Sequence, residues 1–192
     1  MIESYDKNKI GKFIAWGGDH VVYDYDTDKV IKFSLIEFIY GKKGQEKSIN
    51  DYYISKRFFE KYLLETEFVI SKDGRYTAAV QPKIFGHYLS KSDLNDIGIQ
   101  KQFEQIIKKY NKLLKSNYPK IDLVGRGGAF RNFMSNVFVT PGKQLLIIDS
   151  TLLEFKSSGM FRPIFFVICS YADWRQKYLI NDFLQALNKY PN

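Results

Sequence analysis

Three β-rich runs, at 10–16, 21–25 and 29–35, follow one another with only a few residues between them. Parallel neighbours need a crossover of about a dozen residues or more, so runs this close can pair only as an antiparallel meander. Gly17 and Gly18 join the first two runs, and the turn sequence DTD joins the second and third. From about residue 48 the period lengthens. Ile54, Phe58, Phe59, Tyr62 and Leu63 recur at helical spacing, with Ser48 or Asn50 as the N-cap. The runs TEFVIS and YTAAVQPKI then flank the turn KDG and predict a hairpin. Residues 1–82 therefore read as a five-stranded sheet with one helix.

The remainder, 83–192, is mostly helical in pattern. Pro82 and Gly86 in QPKIFG interrupt the exit from the hairpin and mark a short connector. Over 99–114, Phe103, Ile106, Ile107, Tyr110, Leu113 and Leu114 follow the i, i+3, i+4, i+7 rule of an amphipathic helix that stops at SNYPK. A glycine-rich stretch, GRGGAFRNFMS, leads into NVFVTPGKQLLIIDS, where PG turn chemistry between two β-rich arms predicts another hairpin. Leu179, Phe183, Leu184 and Leu187 place a last helix near the end. The fold class is α+β, and 192 residues suffice for a substantial core.

Composition narrows the function classes. With 45% hydrophobic and 26% charged residues the chain has the apolar content to fold, and its 17% aromatic content supplies core bulk first. A net charge of +8 favours encounter with phosphate-bearing partners. The lysines are scattered, densest at Lys42–Lys43 and at Lys108–Lys109 with Lys112 and Lys115 nearby; a solvated face is their ordinary role. Cys169 is the only cysteine, which excludes an intramolecular disulfide and Cys-rich zinc frameworks; in PIFFVIC it reads as a buried, inert thiol. His20 and His87 have no partners at metal spacing and read as surface residues. MIESYDKNKIGK has no apolar signal core, and no apolar run approaches the roughly 20 residues of a membrane span. A soluble, cytoplasmic protein without membrane contact is the expectation.

Individually, a glycine turn, a strand lysine and a loop aspartate have ordinary structural roles. Their order fits nucleotide chemistry. A glycine turn lets backbone N–H groups approach phosphate, a lysine on the following strand neutralises it, and a helix carboxylate can hold that lysine. Asn136 and Asp149, at opposite ends of a hairpin, offer the hard oxygens that magnesium takes alongside water and phosphate.

In this order the residues resemble the protein-kinase-like superfamily over most of the chain. AWGGDHVVY resembles its glycine-rich loop, with Gly17 at the middle glycine, Gly18 beside it and Val22 as the valine that packs on adenine; Ala15 and His20 replace the outer glycines. VIKF resembles the VAIK strand and implies Lys32 as the phosphate-pairing lysine. QPKIFG resembles the interlobe hinge, where Gln81 to Lys83 would offer backbone groups to the adenine edge. Asn136 precedes Asp149 by thirteen positions, the spacing between the family's catalytic-loop Asn and its metal-binding Asp. Ser150-Thr151 replaces the Phe-Gly that follows that Asp in protein kinases, a departure shared with the small-molecule branch. The resemblance implies ATP and Mg2+ as cofactors. It also implies a two-lobed kinase-like fold, with an N-terminal antiparallel sheet plus one helix and a reduced, mostly helical C-terminal lobe.

Two roles stay open at this level. Counting back five from Asn136 reaches Arg131, which cannot accept a proton, and Asn132 beside it is no better. If GRGGAFRNFMS is an insertion, Asp122-Leu123 opens the catalytic loop and Asp122 is the base; its alternative is a structural cap. Asp51 shares the inward helix phase of Ile54 and Phe58 and competes with Glu46 and Glu60 to hold Lys32. Arg126 and Arg131 could bind a substrate phosphate or carboxylate, or belong to a solvated loop. The function implied is transfer of the γ-phosphoryl group of ATP to an unknown small-molecule or protein acceptor. The alternatives are a pseudokinase that binds nucleotide or a partner, and a basic nucleic-acid-binding module, against which no nucleic-acid motif accompanies the charge. The segment FRPIFFVICSYADW is either an internal helix or the apolar surface of a homodimer.

Overall fold

The computed structural model describes residues 4–16, 20–34, 41–125, 132–153 and 162–188, with the backbone alone at 162–165, 168 and 188. The meander forms where the short connections require it: β1 (Ile10–Trp16), β2 (His20–Tyr25) and β3 (Lys29–Ser34) pair antiparallel in sequence. Asp26 turns the chain between β2 and β3 at φ 59, a region that aspartate tolerates, and its carboxylate accepts from Thr27 N at 3.0 Å and Lys9 Nζ at 2.9 Å. The KDG hairpin adds β4 (Glu67–Ile70) and β5 (Thr77–Pro82), giving the order β1-β2-β3-β5-β4.

One sheet face buries Tyr5, Ile31, Val69, Ala78 and Val80. Tyr5, Phe33, Tyr23 and Phe13 continue it as an edge-to-face chain, with centroids 5.6, 6.1 and 5.8 Å apart. Each such pair adds about 0.5–1.5 kcal/mol beyond its buried area.

Helix α1 spans Lys42–Phe59, so it starts well before the Ser48 or Asn50 cap that periodicity suggests. Its first turn, KKGQEK, carries no apolar repeat. Gly41 at φ 55 instead accepts from Gly44 N and Gln45 N, and the Gln45 amide donates to the Arg75 carbonyl in the β4–β5 turn. Anchorage outside the helix thus fixes a start that the helix's own sequence does not announce.

Two compact units divide the chain: Met1–Tyr53 with Leu64–Ile84, and Ile54–Leu63 with Phe85–Asn192. The end of α1 belongs to the second unit because Phe59 and Tyr62 lie fully buried in that unit's core. Helix α2 (Ile97–Leu114) supplies Ile99, Phe103, Ile106, Ile107, Tyr110 and Leu113 to the same core, following the sequence period; Leu114 is instead exposed. Asp96 caps it, accepting from Gly98 N at 2.8 Å and Ile99 N at 3.2 Å.

Strands β6 (His87–Ser90), β8 (Phe133–Val139) and β9 (Leu145–Ile147) form an antiparallel sheet in the order β6-β8-β9, while β7 (Lys120–Ile121) pairs with β10 (Leu152–Leu153). The expected PG hairpin is β8–β9. Strand β6 follows directly on the segment read as a connector. Gly86 makes it accessible: at φ 138, a Cβ there would stand 1.9 Å from the Val139 carbonyl oxygen. The last helix, α3, runs without interruption over Arg162–Asn188, much longer than the period around Leu179 indicates. Pro163 fits because a first-turn residue needs no intrahelical N–H donor. Cys169 is buried, as its apolar surroundings in the sequence suggest. Among the described residues, no helix is long and apolar enough to cross a membrane.

Candidate functional site

Three short segments of the second unit converge around Asp122. Strand β7 ends at Ile121, and the following Asp122 turns its side chain back on the chain: Oδ1 accepts from Val124 N at 3.1 Å and Gly125 N at 2.8 Å. The Asp122 N–H donates to the Thr151 carbonyl at 3.0 Å. Asn136, midway along β8, donates from Nδ2 to the Asp122 carbonyl at 2.7 Å, and its own carbonyl accepts from Ile148 N at 3.0 Å. Asp149, just after β9, accepts through Oδ1 from Thr151 N at 3.0 Å and Thr151 Oγ1 at 2.8 Å. Backbone hydrogen bonds therefore tie together the loops bearing Asp122, Asn136 and Asp149.

Gly125 closes this arrangement. It sits at φ 71, and a Cβ there would lie 2.2 Å from Ser135 Oγ and 2.7 Å from Asn136 Oδ1. Only glycine lets the loop pass so close to the Asn136 amide. Ser135 reinforces the contact, with N and Oγ both donating to the Val124 carbonyl at 2.9 Å.

Beneath the loop lies Gln176 of α3, fully buried, with its polar atoms hydrogen-bonded on both sides. Its Oε1 accepts from Leu123 N at 2.7 Å and Val124 N at 3.4 Å; its Nε2 donates to the Ile121 carbonyl and the Tyr110 hydroxyl, both at 2.9 Å. The adjacent Arg175, also buried, donates from Nη1 to the Gly125 carbonyl. Sequence reasoning missed both residues. Gln176 had a visible signal: it stands in phase with Cys169, Ala172, Leu179, Ile180 and Phe183, the buried stripe of α3, where a polar residue must find partners.

In the first unit, Lys32 lies on β3 directly opposite Val22 on β2 and Ala79 on β5, so the three residues share one sheet face. Asp51 is the buried acid of α1, while Glu46 and Glu60 are exposed; Asp51 accepts from Lys47 Nζ at 2.5 Å. Gln81 is buried, paired with Val30 across the ladder, and donates to Thr66 Oγ1 at 2.8 Å. Lys83 donates its backbone N–H to the Asp28 carbonyl at 2.7 Å and pairs its ammonium with Asp24 at 2.6 Å. That N–H, one of the groups expected to face adenine, is thus already engaged.

Gly17, Gly18, Arg126 and Arg131 lie outside the described residues. His20 sits in β2 opposite Ser34, and His87 bonds through Nε2 to Asp93 Oδ1 at 2.8 Å. Burial raises the Asp93 carboxyl, but hydrogen bonds from Ser90 and His87 outweigh it and hold the group below its ordinary range. Among the described residues no three His, Cys, Asp or Glu side chains cluster as metal ligands. Magnesium needs no such cluster, because one or two protein oxygens with water and phosphate suffice. The Asn136 amide fits that demand: with Nδ2 donated to the Asp122 carbonyl, Oδ1 is the amide atom that could hold a cation.

No protein-family model matches the chain, and no curated protein matches it either. Among solved structures, one that matches is a Legionella pneumophila kinase, Lpg2603, bound to IP6, with a TM-score of 0.51 and 16% identity over 91% of this chain. The fold is kinase-like. The chain spans 59% of the length of that structure, and at this identity the likeness concerns the fold alone.

Proposed function

We propose that this chain is a phosphotransferase that binds ATP with magnesium and passes the γ-phosphoryl group to a small-molecule or protein acceptor. The observation that carries the reading is the cluster in which Asn136 Nδ2 holds the Asp122 carbonyl, Ile148 N donates to the Asn136 carbonyl, and Thr151 bonds to both Asp122 and Asp149. In this reading Asn136 Oδ1 and Asp149 hold the metal, which when bound would neutralise charge on the phosphates. Asp122 orients the acceptor hydroxyl, and Lys32 pairs with phosphate. Val22 covers the adenine face, and Asp51 is the carboxylate that positions Lys32. Gln81 and Lys83 border the adenine edge; Gly17 and Gly18, outside the described residues, are given the phosphate role by sequence resemblance alone.

Such catalysis is mostly positioning and charge stabilisation. ATP titrated with and without Mg2+, followed by γ-phosphate transfer assays on wild type, Asp122→Ala and Asp149→Ala, tests the reading. The expected outcome is magnesium-dependent binding and loss of nearly all turnover in both variants. Turnover that survives Asp149→Ala refutes the metal assignment.

A second reading, a nucleotide-binding pseudokinase, has one observation in its favour: one Asp122 oxygen already accepts two backbone N–H groups in a residue only 5% exposed. A nucleotide-dependent thermal shift without transfer would select it. IP6 is bound to the Legionella protein; a chain of net charge +8 suits a polyphosphate, so the titration runs with IP6 as a second ligand.

A further inference from the structure

We infer that a lysine-lined groove on the second unit is a binding site for a ligand carrying several clustered phosphates, either a free polyphosphate or a phosphoinositide headgroup. The inference rests on charge placement and is independent of the phosphotransferase reading. Lys108, Lys109, Lys112 and Lys115, along α2 and its C-cap, line a groove of about 900 Å³ floored by Ile107 and by Leu184 of α3. Lys108, Lys112 and Lys115 follow the i, i+4, i+7 rule and share one exposed face, within about 10.5 Å along the axis at 1.5 Å per residue. Lys109 is held in place: its Nζ donates to the Phe58 carbonyl at 3.2 Å. Gln105 of the groove accepts from the Tyr62 hydroxyl at 2.5 Å, which ties the groove wall to the core.

Elsewhere the lysines find carboxylates: Lys83 with Asp24, Lys91 with Asp182, Lys120 with Asp173 and Lys143 with Asp96, at 2.5–2.8 Å. Among the described residues, none of the four groove lysines forms an ion pair. Glu104 is the one acid lining the groove among the described residues, and although it stands at the favourable i, i+4 spacing to Lys108, the two do not pair. Several ammonium groups within roughly a Debye length, about 8 Å in physiological salt, repel one another and fall to a common counter-ion. A monophosphate reaches one or two of them, whereas clustered phosphates engage the set. Among the described residues no aromatic side chain lines the groove, and single-strand binders rely on such stacking platforms.

The test is calorimetric titration of the full chain with inorganic tripolyphosphate, with inorganic phosphate as reference, at low and physiological salt. Tripolyphosphate should saturate and weaken with salt. Binding should become at least about tenfold weaker in Lys108→Glu/Lys112→Glu/Lys115→Glu and change little in the charge-matched Lys7→Glu/Lys12→Glu/Lys29→Glu. Circular dichroism checks both folds, and Lys112→Gln/Lys115→Gln replaces the first variant if it fails to fold. Vesicles containing phosphatidylinositol bisphosphate identify a headgroup source if they bind more tightly than tripolyphosphate and lose binding in the same variant. The inference is overturned by no saturable binding, by equal loss in the charge-matched control, by equal binding to phosphatidylserine vesicles, or by tighter binding of a single-stranded oligonucleotide through the same lysines.

Discussion

Replacing Gln176 with methionine isolates the support under the candidate site. Methionine matches the length and volume of glutamine, so no cavity opens, and swaps of this kind leave packing nearly intact. What disappears is hydrogen bonding. Val124 N keeps Asp122 Oδ1 at 3.1 Å, but Leu123 N, at 2.7 Å from Gln176 Oε1, has no second acceptor among its hydrogen bonds. A buried donor left unmade costs about 1–3 kcal/mol, and losing the Nε2 bonds to Ile121 and Tyr110 adds about 1 kcal/mol more. The expected loss is therefore about 2–4 kcal/mol, a large share of the roughly 5–15 kcal/mol of a typical domain. Urea unfolding of wild type and Gln176→Met measures it. Amide exchange then separates local from global effects: protection at Leu123, Val124 and Gly125 should fall further than at Phe103 in α2. A loss under about 1 kcal/mol, or exchange that rises uniformly, refutes the claim that Gln176 holds this loop.

Other outcomes follow from the same geometry. Gly125→Ala should lower stability, and with it the proposed phosphotransfer, because the left-handed backbone costs about 1–2 kcal/mol and the new Cβ drives into Ser135 Oγ and Asn136 Oδ1; unchanged melting would contradict this. Burial raises the Asp173 carboxyl, but hydrogen bonds from Lys120 and Lys177 outweigh it and depress the group. Its contribution is then complete above the unfolded value of about 3.9 and is lost as pH falls through the lower folded value. The stability gap between wild type and Asp173→Asn should accordingly be present at neutral pH and close below about pH 4, read from melting temperature against pH.

The sequence period determined much of the fold because local chemistry acts there. The short connections compelled the meander, the i, i+3, i+4 repeat placed Phe103, Ile106 and Tyr110 inward, and the PG turn folded β8 onto β9. That the segments bearing Asn136 and Asp149 lie side by side was legible from the hairpin, and the Ile148 N–H donating to the Asn136 carbonyl joins them. Asp51 could be separated from Glu46 and Glu60 by helical phase, and it is the buried one.

Partners distant in sequence decided the rest. The early start of α1 depends on Gln45 meeting the Arg75 carbonyl, and β6 exists because Gly86 admits the Val139 backbone. The loop that Asp122 caps is fixed by distant partners: Asn136 and Thr151 bond the Asp122 backbone itself, and Gln176 accepts from the Leu123 N–H that follows. Periodicity reports which face a side chain presents. Which buried donor meets which acceptor across fifty or more residues is settled by three-dimensional packing, because a buried polar group is satisfied only where the folded chain brings it a partner.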